Sequence, residues 1–359
     1  MFTTEFLQLR PTIMPVSSDC NLRCGYCYCY RVPNQIRHKM TEDVLTVVMD
    51  KFISEYPEYI SFCWHGGEPL LADKSFFKRA RNIQKRFQKE NQEIENRLQT
   101  NATLIDEEWC HFFKENNFKI GISVDGPEFL NDKNRLFISG KGIFESIMKG
   151  IEILKTNEVE FSVLVTITNE SVKHPEEIYR FILDQEFHSI KLNPCFGPNE
   201  FRVDFVEYAN FMNRIFDFWF ADDRDDISFG HLGDIVNGLL GGGPRICHMR
   251  NSCYRHVKID YNGDVLPCDS FLGADFKFGN IITQEIHDII SAKNYGNFFN
   301  ESRKTLKECS VCKWRELCGG GCSRYSFEGR MEKMPNRMCK AKKIMLDHIS
   351  QVLNEVMKN

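Results

Sequence analysis

The sequence predicts an α/β fold built on a mostly parallel sheet and continued by a small cysteine-rich region. Three observations carry that expectation. Over the first two-thirds of the 359 residues, strand-like stretches alternate with amphipathic helical ones. Short glycine-, aspartate- or cysteine-bearing loops follow the strands. Eight of the fifteen cysteines fall after residue 245. Six β/α units in a row call for parallel strands joined by right-handed crossovers. A partial (β/α)6 barrel of TIM type accounts for them better than a sandwich, and an open doubly wound sheet is the alternative.

The elements follow in chain order. The strand candidates are "LQLRPTIMPV" (7–16), "YISFCW" (59–64), "NRLQT" (96–100), "FKIGISV" (118–124), "EFSVLVTIT" (160–168) and "SIKLNP" (189–194). Between them, "EDVLTVVMDKFISEY", "KSFFKRARNIQKRFQKE", "IFESIMKGIEILKT" and "PEEIYRFILDQE" repeat apolar residues at helical spacing. The cysteine loop follows the first strand, "GGEP" the second, "QTN" ends the third and "SVDGP" the fourth. Loops after the C-terminal ends of parallel strands are where such folds build active sites, although each tract alone also makes a good turn. From about residue 225 the chain turns acidic ("FADDRDDISFG") and then glycine-rich ("GLLGGGPRIC"). We expect a first domain over 1–230, a second over 231–345, and the end of an amphipathic closing helix over 346–359.

Composition narrows the function. A formal charge of −4 offers no basic field for nucleic acid. No apolar run is long enough to span a bilayer, and "MFTTEFLQLR" lacks the features of a secretory signal. The expected location is the reducing cytoplasm, where fifteen cysteines point to metal rather than to disulfides.

Residues 17–30, "SSDCNLRCGYCYCY", place Cys20, Cys24 and Cys27 at C-x3-C-x2-C. A structural zinc wants four ligands, whereas three thiolates on a [4Fe–4S] cluster leave one iron open. Cys29 is the rival fourth ligand, but one residue separates it from Cys27. Downstream, Cys247, Cys253 and Cys268 stand at C-x5-C-x14-C, "CSVCKWRELCGGGC" supplies Cys309, Cys312, Cys318 and Cys322, and Cys339 completes eight. Eight ligands make two four-cysteine sites, and zinc would suit their spacing nearly as well as iron–sulfur clusters.

The three-cysteine motif with an aromatic before its third cysteine, followed by GGEP after the next strand, resembles the radical S-adenosylmethionine (SAM) enzymes. That resemblance implies that Cys20, Cys24 and Cys27 hold a [4Fe–4S] cluster whose free iron takes SAM. It also implies that Tyr26 lies near the adenine, that Gly66, Gly67 and Glu68 receive the methionine amino group, and that Ser123 and Arg135 hold ribose and carboxylate. The later cysteines resemble the SPASM domain of peptide-modifying members. The family's pairing assigns Cys247, Cys253, Cys268 and Cys322 to one auxiliary [4Fe–4S] cluster and Cys309, Cys312, Cys318 and Cys339 to another, three clusters in all.

The same resemblance implies reductive cleavage of SAM to a 5′-deoxyadenosyl radical that takes hydrogen from a peptide or protein substrate. An electron donor such as flavodoxin or ferredoxin would be a partner. Asp269, beside Cys268, is the candidate catalytic base, where sulfatase-maturating enzymes carry an aspartate; a turn aspartate is the alternative. "WHGGEPLL" favours a maturase of ribosomal peptides that forms carbon–carbon or thioether cross-links. The alternative is an anaerobic sulfatase-maturating enzyme, oxidising Cys or Ser to formylglycine. Against that alternative stand His65, where those enzymes have Gln, and "NDKNR", where they have His before Asn-Arg. Cys63 and Cys110 read as small buried hydrophobes, while Cys195 and Cys29 border the expected pocket.

Overall fold

The computed structural model describes residues 9–29, 38–195, 200–250, 252–271, 274–302, 307–325 and 337–358. The chain divides into two compact units.

The first unit gathers the described residues up to Ser123, Arg135–Phe161 and Tyr254–Phe299. Its strands are β1 (Arg10–Ile13), β2 (Tyr59–Trp64), β3 (Glu93–Thr100) and β4 (Phe118–Ser123), joined in sequence order and parallel. β1 is shorter than its predicted stretch, whose first two residues lie outside the described ones. On the other side of β1 runs β8 (His256–Ile259), also parallel, with Arg10 opposite His256 and Ile13 opposite Ile259. β9 (Asp264–Leu266) and β10 (Gly279–Asn280) extend this edge antiparallel. Cysteine-rich sequence therefore completes the same sheet as the first strand.

The helices form for local reasons. In α1 (Glu42–Glu55) the Thr41 hydroxyl accepts from Val44 N–H at 3.3 Å, and Leu45, Val48, Met49, Phe52 and Ile53 make one buried stripe. In α3 (Glu107–Glu115) Asp106 caps Trp109 N–H at 2.8 Å. α2 (Asp73–Phe87) and α5 (Phe144–Thr156) complete the larger helices of the N-terminal part. The abundant phenylalanine goes largely into the core. Trp64, Phe77, Trp109, Phe112 and Phe118 meet at ring distances such as 5.3 Å for Trp64–Phe77 and 5.6 Å for Phe77–Trp109. Burying each such ring contributes about 2–3 kcal/mol. Trp64 Nε1 donates to Asn96 Oδ1 at 2.8 Å, and Asn96 exchanges 3.0 Å bonds with Gln84, so these buried polar groups are satisfied.

The second unit contains Val124–Asn134, Ser162–Cys253 and the described residues from Asn300 on. β5 (Phe161–Ile167, its first residue assigned to the other unit), β6 (Ser189–Pro194) and β7 (Ser228–Phe229) run parallel. α6 (Pro175–Asp184), α7 (Phe205–Ala221) and α8 (Gly230–Leu239) accompany them. The closing helix, α12 (Arg337–Val356), begins earlier than its amphipathic pattern suggested and packs on α7 and α8 through Ala341, Met345, Leu346 and Ile349. Among the described residues, no helix is long and apolar enough to cross a membrane.

Candidate active site

In the first unit, the loop after β1 is held by the loop after β2. Gly67 N–H donates to Ser17 O at 2.8 Å and Glu68 N–H to Asp19 O at 2.7 Å. This approach requires glycine. A Cβ on Gly67 would stand 1.9 Å from Asp19 O, and one on Gly66, at φ +120°, would stand 2.6 Å from Ser17 O. The two glycines seat the cysteine loop against GGEP, a role that composition does not distinguish from contact with a ligand.

Glu68 is buried and ties the loop after β2 to the end of β3. Its carboxylate accepts from Leu70 N–H at 3.1 Å, the Thr100 hydroxyl at 2.8 Å and Asn101 N–H at 2.8 Å. Burial pushes its pKa up to about 7, against the pull of those donors and of the Arg135 charge. Asn101, from "QTN", donates to Asn21 Oδ1 at 2.9 Å, and Asn21 donates to Thr103 Oγ1 at 2.8 Å. The amide of Asn101 also lies 3.9 Å from Cys20 Sγ.

Cys20, Cys24 and Cys27 are brought together. Burial lifts the Cys20 thiol to about 12; the Leu22 N–H opposes this, while Glu68, Cys24 and Cys27 add to it. Arg23 N–H bonds to Leu136 O at 2.8 Å, which places Arg135 next to the cysteine loop. Arg135, itself buried, donates to the Tyr26 hydroxyl at 2.6 Å. Ser123 Oγ, at the end of β4, accepts from Gln99 Nε2 at 2.9 Å. His65 Nδ1 accepts from Gly66 N–H at 2.7 Å.

Asp269 and Cys268 reach the same loop. The Tyr28 phenol is pushed up by burial and then by Cys29, Asp269, Cys27 and Cys268. Cys29 is buried and hydrogen-bonded to Cys27, which with burial lifts its thiol well above the ordinary range. Sequence reasoning missed Lys258. It is 1% exposed on β8, and its Nζ donates to Phe271 O at 3.0 Å, closing the turn that carries Cys268 and Asp269. Burial lowers its pKa, and Asp260, Cys29, Asp269 and Cys268 offset part of that. A lysine between buried aliphatic residues of a short strand leaves no signal of this role in the pattern.

The second unit holds seven more cysteines of the set. Burial raises the Cys339 thiol, Lys343 opposes this, and Cys318, Cys309 and Cys312 add to it, so these four are neighbours. Cys312 N–H turns back to Cys309 O at 3.4 Å, and α11 (Arg315–Cys318) ends in left-handed Gly319. Burial lifts Cys322 to about 12; the Cys253 charge adds to this, and the N–H groups of Arg324 and Tyr325 oppose it. Ser252 N–H bonds to Cys247 O at 3.0 Å in the turn leading to Cys253. No disulfide joins any of the fifteen cysteines, which are all among the described residues; Cys110 and Cys195 are buried and Cys63 is half-buried. Among the described residues, no three His, Cys, Asp or Glu side chains stand where they could together hold a single metal ion. The thiol-only sets, three on one loop and four around Cys339, have the donor chemistry of iron–sulfur clusters.

Comparison with known proteins agrees. The radical SAM superfamily model matches residues 14–182, and the SPASM iron–sulfur cluster-binding domain model matches residues 247–313. The chain is 33% identical over 325 residues to the cysteine-type anaerobic sulfatase-maturating enzyme of Clostridium novyi, covering 87% of each chain. It is 29% identical to the serine-type enzyme of Bacteroides thetaiotaomicron, covering 95% of this chain and 89% of that one. Among solved structures, anSMEcpe with bound AdoMet and the Cp18Cys peptide superposes with a TM-score of 0.88 at 28% identity, covering 98% of this chain and 99% of that one. Streptococcus suis SuiB bound to precursor peptide SuiA shares the fold, with a TM-score of 0.66 at 16% identity over 90% and 73% of the two chains. The expected α/β architecture is thus the observed one, and the chain belongs to the SPASM-bearing radical SAM family that includes the anaerobic sulfatase-maturating enzymes.

Proposed function

We propose that this enzyme oxidises a cysteine or serine side chain of a sulfatase-type peptide to the aldehyde of formylglycine. The observation that carries this reading is similarity to cysteine-type sulfatase-maturating enzymes over 87% of the chain. It moves the weight from cross-linking of ribosomal peptides to the second of the two reactions expected from the sequence. As a radical SAM oxidoreductase, the enzyme uses SAM and [4Fe–4S] clusters, and when bound these supply the 5′-deoxyadenosyl radical that removes hydrogen from carbon.

The chain's own residues then divide the work. Cys20, Cys24 and Cys27 would hold the SAM-binding cluster. Cys247, Cys253, Cys268 and Cys322 would hold one auxiliary cluster, and Cys309, Cys312, Cys318 and Cys339 the other. Arg135 fixes the Tyr26 ring by its bond to the hydroxyl, so that an adenine would meet a prepositioned aromatic edge. Glu68, which binds the end of β3 through Thr100, would take the methionine end of SAM, and Ser123, oriented by Gln99, would meet the ribose. Loss of a hydrogen atom, a proton and an electron makes the substrate change a two-electron oxidation: serine gives the aldehyde directly, and cysteine gives a thioaldehyde that water hydrolyses to the aldehyde with release of hydrogen sulfide. Asp269 takes the proton, and the auxiliary clusters offer the electron a route out. A reduced flavodoxin or ferredoxin would supply the electron that starts each turnover.

The test is anaerobic reconstitution with iron and sulfide, followed by SAM, dithionite and a sulfatase-type peptide carrying Cys or Ser at the target position. Mass spectrometry should find a hydrazine-trappable aldehyde in step with 5′-deoxyadenosine. A product that has lost only hydrogen and carries an internal cross-link, with no aldehyde, would return the assignment to the ribosomal-peptide maturases.

A further inference from the structure

One buried lysine joins the two loops of the second unit that carry proposed auxiliary-cluster ligands. Lys342, on α12, is 6% exposed. Its Nζ donates to the carbonyl oxygen of His248 at 3.2 Å and lies 3.5 Å from that of Cys318. His248 follows Cys247 of the first set, and Cys318 belongs to the second. Nζ also lies 4.0 Å from where a Cβ of Gly321 would stand, against the residue preceding Cys322. Among the described residues no carboxylate pairs with it, so a charge that is costly to bury is held by carbonyl dipoles.

We infer that Lys342 is a shared electrostatic anchor that raises the reduction potentials of both auxiliary clusters together, favouring entry of the substrate's electron. The inference rests on the ligand sets given under the proposed function. A [4Fe–4S]2+ cluster on four thiolates carries a net charge of −2 and takes one electron to reach −3. A nearby buried cation stabilises the more negative state, because charge and burial set cluster potentials. In turnover that electron comes from the substrate-centred radical, and in a titration from dithionite. Lys343, the next residue, bears on Cys339, which makes it a comparison charge beside the second set.

The experiment uses the full chain with Cys20, Cys24 and Cys27 replaced by Ala, so that only auxiliary clusters give EPR signals on reductive titration. Lys342→Gln keeps an N–H donor for the His248 carbonyl but removes the charge. It should retain its iron and shift the oxidised-to-reduced ratio of both clusters about tenfold toward oxidised at a fixed potential, about 59 mV for one electron. Lys342→Arg should restore both potentials, and Lys343→Met should move only the cluster held by Cys339. Unchanged potentials in an iron-replete Lys342→Gln protein overturn the inference, as does a shift in one cluster alone. If Lys342→Gln and Lys342→Met both lose iron while Lys342→Arg keeps it at unaltered potential, Lys342 is a structural brace and the inference also fails. A parent protein without auxiliary clusters would instead remove the ligand assignment, a different failure read directly from the iron content.

Discussion

Replacing Gly67 with Ala tests whether GGEP first serves to seat the cysteine loop. The new Cβ would stand 1.9 Å from Asp19 O, whereas real Cβ contacts essentially never fall below 3.0 Å. The loop at Ser17–Asp19 must therefore retreat by at least about 1 Å. That movement stretches the Gly67 N–H to Ser17 O and Glu68 N–H to Asp19 O bonds, now 2.8 and 2.7 Å, beyond useful length. Each bond contributes about 1 kcal/mol net, and a buried donor left without a partner costs about 1–3 kcal/mol more. The expected local loss is about 3–5 kcal/mol, falling on the loop that delivers Cys20. In the reconstituted full chain, iron should drop from about twelve to about eight per chain as the SAM-binding cluster is lost. The auxiliary signals should remain, and 5′-deoxyadenosine formation should vanish. Metal analysis, EPR and chromatography read these outcomes separately. A Gly67→Ala protein with full iron and unaltered melting, weakened only in its affinity for SAM, would show that Gly67 contacts the ligand and that the seating argument is wrong.

Three further outcomes follow from the site. Asp269→Asn should keep three clusters and still form 5′-deoxyadenosine, with product falling by about 10²-fold or more, the scale of a lost general base; product at the wild-type rate would exclude Asp269 as the base. Cys29→Ala should keep both iron content and SAM cleavage, because only one residue separates Cys29 from Cys27, too few for both to face one cluster; loss of a cluster would make Cys29 a ligand. Glu95 is held at about 2, burial notwithstanding, by Arg97, Lys119 and Ser61. Its ionised form therefore stabilises the fold above the ordinary carboxylate range, and that contribution is lost as pH falls toward 2. Because Arg97 and Lys119 are half-exposed, the loss is about 1–2 kcal/mol, and Glu95→Gln should flatten this acid limb in denaturation curves.

What could be read beforehand was whatever has a local period or a short motif. "YISFCW" alternates as a strand facing an aromatic core, and it is one, with Ile60, Phe62 and Trp64 buried. Cys20, Cys24 and Cys27 sit on one turn because their spacing leaves them little choice. The α7 helix was not among the predicted ones, although its buried Phe205, Tyr208, Phe211, Met212 and Phe216 recur at helical spacing. Lys258 and Lys342 escaped for another reason. A lysine on a strand or an amphipathic helix reads as solvated, and only tertiary closure shows an ammonium ending on a buried carbonyl. The role of Glu68 was half legible. The motif marked it, but its grip on the end of β3 depends on Thr100 and Asn101, more than thirty residues away.

The pairing of β8 with β1 also bears on how the protein is made. Arg10 and His256 are neighbours in space but lie roughly 250 residues apart along the chain. Until the ribosome has released the last third of the polypeptide, β1 has one side unpaired, and its row of backbone donors and acceptors, flanked by buried apolar side chains, is open to other nascent chains. Closing so long a loop is slow compared with local helix formation. A fragment ending near residue 245 would lack this closing strand permanently, and should be recovered mainly as aggregate even though it contains all three cysteines of the SAM-binding motif.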